Sequence, residues 1–326
     1  MPSFRFAIMG AGDISRKFRD AARRIPDCEV VAVSSKSLER AKAFAERENI
    51  PSSYGSYREM LENEHIDCVY IGADTGSHFD LTMLCLDYKV SVLCEKAMFC
   101  SLADAEKAIS YAKKQGVFIM EAMWSYFLPA IKKAKQWVDE KRIGRIYASD
   151  AVIGFKAPTH PGNRYFNLEL GGGVAYDLTV YTYDLTTLML GHDYLDCEVS
   201  ALWHESGVDT VNHAVLRYKD CLSSMTTSII GPLDERLILY GEEGKIVVPS
   251  SHFASRAYLY GKNGELIEEF KDDMTENGFL YEVQEAVDCV KAGKLESDVV
   301  PLSVTLDSTK FYEKIFGTKI YNDVQM

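Results

Sequence analysis

The chain has no apolar stretch long enough to cross a bilayer, for which about 20 residues are needed, and no run of basic residues. Its 48 acidic side chains outnumber 36 basic ones, and the formal net charge of −12 argues against nucleic acid or an anionic membrane as partner. The eight cysteines, Cys28, Cys68, Cys85, Cys94, Cys100, Cys197, Cys221 and Cys289, include no Cys-x-x-Cys pair. Several sit in apolar runs, where they pack as small hydrophobes. The seven histidines, among them His78, His160, His204 and His213, show no metal-ligand spacing, so no metal is expected. Nothing at the start reads as a secretion signal, and a reducing cytoplasm is the expected home. Internal repeats, low-complexity tracts and long linkers are missing too. At 47% hydrophobic and 26% charged the composition is that of an ordinary globular protein, and 326 residues suggest two domains.

What is present begins with an apolar run, Phe4–Met9, a tight turn, Gly10-Ala11-Gly12, and an amphipathic helix. Ile14, Phe18, Ala21, Ala22 and Ile25 form one stripe of that helix, fit to pack on a sheet. Gly10 allows the sharp turn, and Gly12 lets a backbone approach phosphates. Asp13 and Ile14 open the helix, whose exposed amides and partial positive charge suit a dinucleotide pyrophosphate. Ser15 stands at the third position of the fingerprint, where glycine is usual and a small residue still permits close packing.

Strand and helix signals alternate onward: strands at 29–34, 68–72, 91–94 and 117–120, helices at 38–47, through Leu81, Leu84 and Leu86, and from a capping box at Ser101-Leu102-Ala103-Asp104 to Lys114. Continuous apolar strands between helices indicate a parallel, doubly wound sheet. After Glu121 the rhythm changes. A helix near Pro129 carries Ile131, Ala134 and Val138, and strand-like runs then dominate to about residue 248. Turns at Tyr218-Lys219-Asp220 and Gly241-Glu242-Glu243-Gly244 suggest antiparallel pairing, and helices return at 278–292 and 303–316. The expected fold is α/β: a Rossmann domain over 1–122, then an α+β domain over 123–326 with an open, mainly antiparallel sheet.

A domain that binds NAD usually ends its second strand in an acid that accepts from the adenosine ribose hydroxyls. Here the strand ends Val33-Ser34-Ser35-Lys36-Ser37, and Ser35 with Lys36 suits a ribose 2′-phosphate, so NADP is expected ahead of NAD. Asp74-Thr75-Gly76-Ser77-His78 follows the third strand at the ligand edge. Thr75 and His78 could contact cofactor ribose or phosphate there; alternatively, Thr75 or Ser77 caps a helix start. Glu95-Lys96 after the fourth strand places a lysine where a nicotinamide would lie.

Together these motifs resemble the glucose–fructose oxidoreductase, inositol dehydrogenase and rhizopine-catabolism (Gfo/Idh/MocA) family over essentially the whole chain. The resemblance rests on Gly10–Ser15, Glu95-Lys96, Glu121-Ala122-Met123-Trp124 and Gly171-Gly172-Gly173-Val174-Ala175-Tyr176-Asp177. It is strongest to the branch of dimeric dihydrodiol dehydrogenases and NADP-dependent xylose dehydrogenases, which carry a tyrosine four residues beyond the aspartate, here Tyr181. The family's Glu-Lys-Pro motif reads Glu95-Lys96-Ala97, and Tyr126 stands where many relatives in the branch carry arginine.

The resemblance implies hydride exchange between a nicotinamide and a secondary alcohol or hemiacetal of a sugar, polyol or trans-dihydrodiol. Tyr181 would be proton donor and acceptor, Lys96 the cation that favours its phenolate, and Asp177 a group that orients substrate. Trp124 offers a flat wall at cofactor and substrate, and Arg164, in the loop over 156–167, stands near the pocket. A homodimer through the second sheet is implied as well. The rival reading is a non-catalytic dinucleotide-binding regulator of the same fold.

Overall fold

The computed structural model describes residues 3–159 and 163–319; His160, Pro161 and Gly162 of the expected pocket loop lie outside them. The apolar run at the start forms β1 (Phe4–Met9), followed by α1 (Asp13–Ala22), β2 (Cys28–Ser34), α2 (Leu38–Glu48), β3 (Ser52–Tyr54) and α3 (Tyr57–Asn63). Then come β4 (Cys68–Ile71), α4 (His78–Asp87), β5 (Ser91–Glu95), α5 (Leu102–Gln115) and β6 (Ile119–Ala122). The six strands are parallel in the order β3-β2-β1-β4-β5-β6, with the reversal between β1 and β4 where doubly wound sheets bind ligands. Continuous burial explains the unbroken apolar strands: β4 is buried at every residue, and helices cover both faces.

Ser101 starts α5 as the capping box requires. Its Oγ accepts the Asp104 N–H at 3.2 Å and donates to the Asp104 carboxylate at 2.8 Å. The sheet nonetheless holds one strand more than the sequence pattern indicates. β3 spans three half-buried residues, too few to show a period. The strand expected at 117–120 lies two residues further on, because Gly116 ends α5 in a left-handed conformation and Val117 still satisfies that helix's last carbonyls.

The second half holds α6 (Pro129–Asp139), β7 (Ile146–Gly154), a π-helical turn (Ala175–Thr179) running into α7 (Val180–Leu190), then β8 (Asp196–Trp203), β9 (Asp209–Arg217) and β10 (Leu222–Ser228). The hairpin β11 (Arg236–Gly241) and β12 (Gly244–Pro249) follows, then β13 (Arg256–Gly261) and β14 (Leu266–Lys271). The eight-stranded sheet has the order β14-β13-β12-β11-β7-β10-β9-β8 and is antiparallel except at β7–β10. Both expected turns join antiparallel strands. One face of the sheet is buried through alternate residues such as Leu237, Leu239, Ile246, Val248 and Leu259. Helices α6 and α7 pack on this sheet.

The chain closes with α8 (Phe279–Lys291) and α9 (Leu302–Gly317). Asn277–Leu306 joins the residues up to Trp124 in one compact unit, while Ser125–Glu276 and the chain from Asp307 form the other. The second domain was expected to run unbroken from 123 to 326, so the two differ over 277–306. The cause is packing that periodicity cannot assign: α8 buries Phe279, Val283, Ala286 and Val287 and lies against α1 and β5. The Asn277 amide fastens the junction by donating to the Lys17 carbonyl at 2.9 Å and to Asp20 at 3.0 Å. Among the described residues no helix is long and apolar enough to cross a membrane, and no group of three or more His, Cys, Asp or Glu is placed to hold a metal.

Candidate active site

In the first unit the ligand edge begins at Gly10, whose φ is +108° and where a Cβ would lie 2.6 Å from the Gly72 carbonyl oxygen. Only glycine fits there. Gly12 is the N-cap of α1, and no side chain caps the helix's first amides, so their donors point to a ligand edge rather than to a protein acceptor. Ser15 is buried and its hydroxyl donates to the Gly10 carbonyl at 2.6 Å, bracing the turn from below. Asp13 is exposed and Ile14 half-buried. At the end of β2, Lys36 Nζ donates to Ser77 Oγ at 3.2 Å, and Ser77 in turn donates to Asp74. Ser35 is buried beside them, its Oγ accepting the Ser37 N–H at 3.4 Å.

His78 is buried, with Nδ1 2.9 Å from the Ala97 carbonyl oxygen and Nε2 3.2 Å from that of Ala73. Burial lowers its pKa, against the two carbonyls, which favour the protonated ring. Neither the Thr75 nor the Ser77 side chain caps a helix; Ser77, at the N-cap of α4, gives its hydroxyl to Asp74.

Glu95 ends β5 turned inward, with Oε1 accepting the Tyr70 hydroxyl at 2.6 Å and Oε2 the Lys96 N–H at 3.3 Å. Lys96 is half-buried, and its peptide bond to Ala97 is cis. The loop that follows is pinned by Glu121, whose carboxylate accepts the Met98 N–H at 2.9 Å and the Thr305 hydroxyl at 2.5 Å. Burial raises the Glu121 pKa against these two bonds and the Lys96 charge. Next to Glu95 lies a group the sequence did not suggest. Glu282 of α8 is fully buried, and neither of its oxygens receives a hydrogen bond. Burial, then the Glu95 charge, holds it well above the usual carboxylate range. Trp124 is buried, and its indole stacks on Phe279 with centroids 5.4 Å apart.

In the second unit, the Arg164 guanidinium lies 4.1 Å over the Tyr165 ring and donates to Asp177 Oδ1 at 2.9 Å. Asp209 holds the glycine turn that precedes Asp177. The Asp209 carboxylate accepts the Ala175 N–H at 2.8 Å and the Asn212 amide at 2.7 Å. Gly173, at φ +112°, leaves no room for a Cβ because Asp209 closes on it. Asn212 also donates to Thr179, which meets Thr227 at 2.7 Å, so the π-helical turn rests on a row of buried polar groups from β9 and β10. Burial pushes Asp209 up to about 6. The wider turn changes the phase between Asp177 and Tyr181. Asp177 meets Arg164, while the Tyr181 ring packs on His252 with centroids 4.9 Å apart. Tyr126, the departure from arginine, donates its phenol to the Asp184 carbonyl at 2.8 Å.

A family model described as "Oxidoreductase family, NAD-binding Rossmann fold" matches residues 4–123, and one for the "GFO/IDH/MocA C-terminal domain" matches 131–247. The chain belongs to the Gfo/Idh/MocA family. Among curated relatives it is similar to trans-1,2-dihydrobenzene-1,2-diol dehydrogenase of Xenopus tropicalis, 31% identical over 313 residues that cover 92% of this chain and 93% of the relative. The Mus musculus protein of the same name is 32% identical over 310 residues, 92% of each chain. Two solved structures share the fold. One is a 3-ketoreductase from Actinomadura kijaniata in complex with NADP and TDP-benzene (TM-score 0.86, 22% identity, 96% and 97% of the chains covered). The other is an aldose–aldose oxidoreductase from Caulobacter crescentus complexed with glycerol (0.87, 19%, 97% of each).

Sequence reasoning missed the buried groups that pack behind the family motifs. Asp209, Glu282 and His252 come from a strand, a helix and a turn far along the chain. Only a buried acid in an otherwise apolar helix stripe, Glu282 among Phe279, Val283 and Ala286, leaves a trace in the sequence.

Proposed function

We propose that this protein is an NADP-dependent oxidoreductase exchanging a hydride between the nicotinamide and a secondary alcohol or hemiacetal of a sugar, polyol or trans-dihydrodiol. The observation that carries it is Lys96, a cation at the carboxyl end of β5 whose following loop is pinned by Glu121 and, through the Ala97 carbonyl, by His78. A lysine held there has a task beyond solubility. The dihydrodiol dehydrogenase names of the curated relatives and the NADP in a structural neighbour support the same reading.

The residues present fit the cofactor. The uncapped amides of α1 would hold the pyrophosphate, Gly12 would let it approach, and Ser35, Lys36 and Ser77 would take the 2′-phosphate. The bound nicotinamide supplies or receives the hydride. In reduction, Tyr181 gives its phenolic proton to the developing alkoxide, and the Lys96 charge stabilises the negative oxygen. In oxidation, Tyr181 takes the hydroxyl proton, its phenolate favoured by the same cation. Asp177 orients substrate hydroxyls, its carboxylate fixed by Arg164. Trp124, braced by Phe279, closes the apolar side. A cytoplasmic homodimer completes the proposal, joined through the sheet face that carries Ile238, Tyr240, Val247, Tyr258 and Tyr260.

The test is NADPH fluorescence titration on the purified protein, then NADP reduction across aldoses, polyols and trans-dihydrodiols. Tight binding with turnover supports the reading. Tight binding without turnover favours a dinucleotide-dependent regulator, and no binding of NADPH or NADH removes the proposal.

A further inference from the structure

Glu235 precedes β11, and His252 sits in the short turn Ser251–Phe253 just after β12, at the open end of that hairpin. One carboxylate oxygen, Glu235 Oε1, accepts the His252 backbone N–H at 3.0 Å and lies 2.6 Å from Nδ1 of the same residue. Main chain and ring are locked together by a single acceptor. A carboxylate at Nδ1 keeps a proton on that nitrogen and so fixes the plane of the ring. The buried imidazole is packed between two rings, Phe253 at 3.7 Å and Tyr181 at 4.9 Å with planes 35° apart.

The hairpin does not need this arrangement. Strand pairing already runs to Arg236–Pro249, and the Ser250 N–H extends it to the Glu235 carbonyl at 3.1 Å. Placing a carboxylate and an imidazole in a largely buried corner costs solvation that an apolar pair would not. What the pair does touch is the tyrosine. Because a phenol oxygen lies on the long axis of its ring, whatever fixes the ring fixes the direction of the hydroxyl.

We propose that the Glu235–His252 pair is a positioning device for Tyr181, holding the phenol in the orientation from which its proton is exchanged. The proposal rests on the reading of Tyr181 as proton donor and acceptor. His252 and Glu235 are positioning residues: they act through the tyrosine ring.

The test uses the full-length protein labelled with 3-fluorotyrosine, the Tyr181 resonance being assigned by its loss in Tyr181→Phe. In His252→Ala the Tyr181 signal is expected to shift and narrow towards that of a freely rotating ring. His252→Phe, which keeps a flat neighbour, restores most of its position. Should His252→Ala not fold, Glu235→Gln carries the test, since it keeps an oxygen for the backbone N–H and weakens the hold on Nδ1. In variants that bind NADPH with wild-type affinity, kcat is expected to fall roughly tenfold to a hundredfold, the scale of a small misplacement of a reacting group. A destabilised fold would lower the melting temperature and the yield of binding-competent protein without moving kcat per bound NADPH. An unmoved Tyr181 resonance in His252→Ala and Glu235→Gln overturns the proposal. Turnover retained in Tyr181→Phe removes the proton-donor reading instead, and the resonance then reports the ring clamp by itself.

Discussion

A carboxyl group that is fully buried and receives no hydrogen bond keeps its proton, and Glu282 is in that position. Between the ordinary carboxylate range and its raised value the folded chain binds a proton that the unfolded chain releases. Stability therefore falls as pH rises through that window. Glu282→Gln should flatten this slope and stabilise the protein at pH 8 by about 1 kcal/mol or more, read from denaturant midpoints at pH 5 and pH 8. A wild-type slope left unchanged by the substitution would show that Glu282 finds a donor. The proposed reacting groups respond differently. Lys96→Met and Tyr181→Phe should each lower kcat by about two orders of magnitude or more while NADPH binding persists; near-normal turnover in either would remove its role. Lys36→Ala should weaken NADPH about tenfold or more and leave NADH almost untouched, because the lost contact is a charge-assisted bond to the 2′-phosphate. Equal losses for both cofactors in paired titrations would refute that assignment.

Among the elements, the π-helical turn 175–179 carries most consequence, since it sets where Asp177 and Tyr181 point. Asp209, on the first residue of β9, holds it and the preceding glycines through the Ala175 amide and Asn212. Asp209→Ala should cost about 2–3 kcal/mol by leaving those donors buried and unpaired, and should lower kcat more than it raises the KM for NADPH. Melting curves and kinetics read the two parts; wild-type values in both would show the turn to be self-supporting. The sequence made most of the regular elements legible, because burial imposes a pattern: the strands at 4–9, 68–71 and 91–95 are mainly apolar runs, and α5 shows its cap at Ser101. It hid β3, three residues long, and α3 beside it. The π-turn was hidden because one extra residue in a helical turn changes no composition. The proposed ligand edge was legible for the same local reasons, since a glycine turn and the lysine and serines closing β2 are read from adjacent positions. The supports of the site are tertiary: nothing near Gly173 announces Asp209, and nothing near Tyr181 announces His252.

On the scale of the whole molecule, the proposed homodimer uses a sheet face whose residues alternate with the buried ones, such as Ile238 between Leu237 and Leu239. Light scattering is expected to give about twice the 36.6 kDa chain mass, and a monomer at micromolar concentration would remove the dimer from the proposal. The path of the chain has its own consequence. The first compact unit is left at Trp124 and rejoined at Asn277, so the second unit's longest segment, Ser125–Glu276, interrupts it. As the chain emerges from a ribosome, the parallel sheet is complete in sequence long before α8 exists to cover α1 and β5. A first unit that begins to form early must therefore wait, with α1 and β5 incompletely covered, for a helix made more than 150 residues later. Nascent chains halted before Asn277 would be the ones most in need of a chaperone, and cofactor binding would become a late event in the life of each molecule.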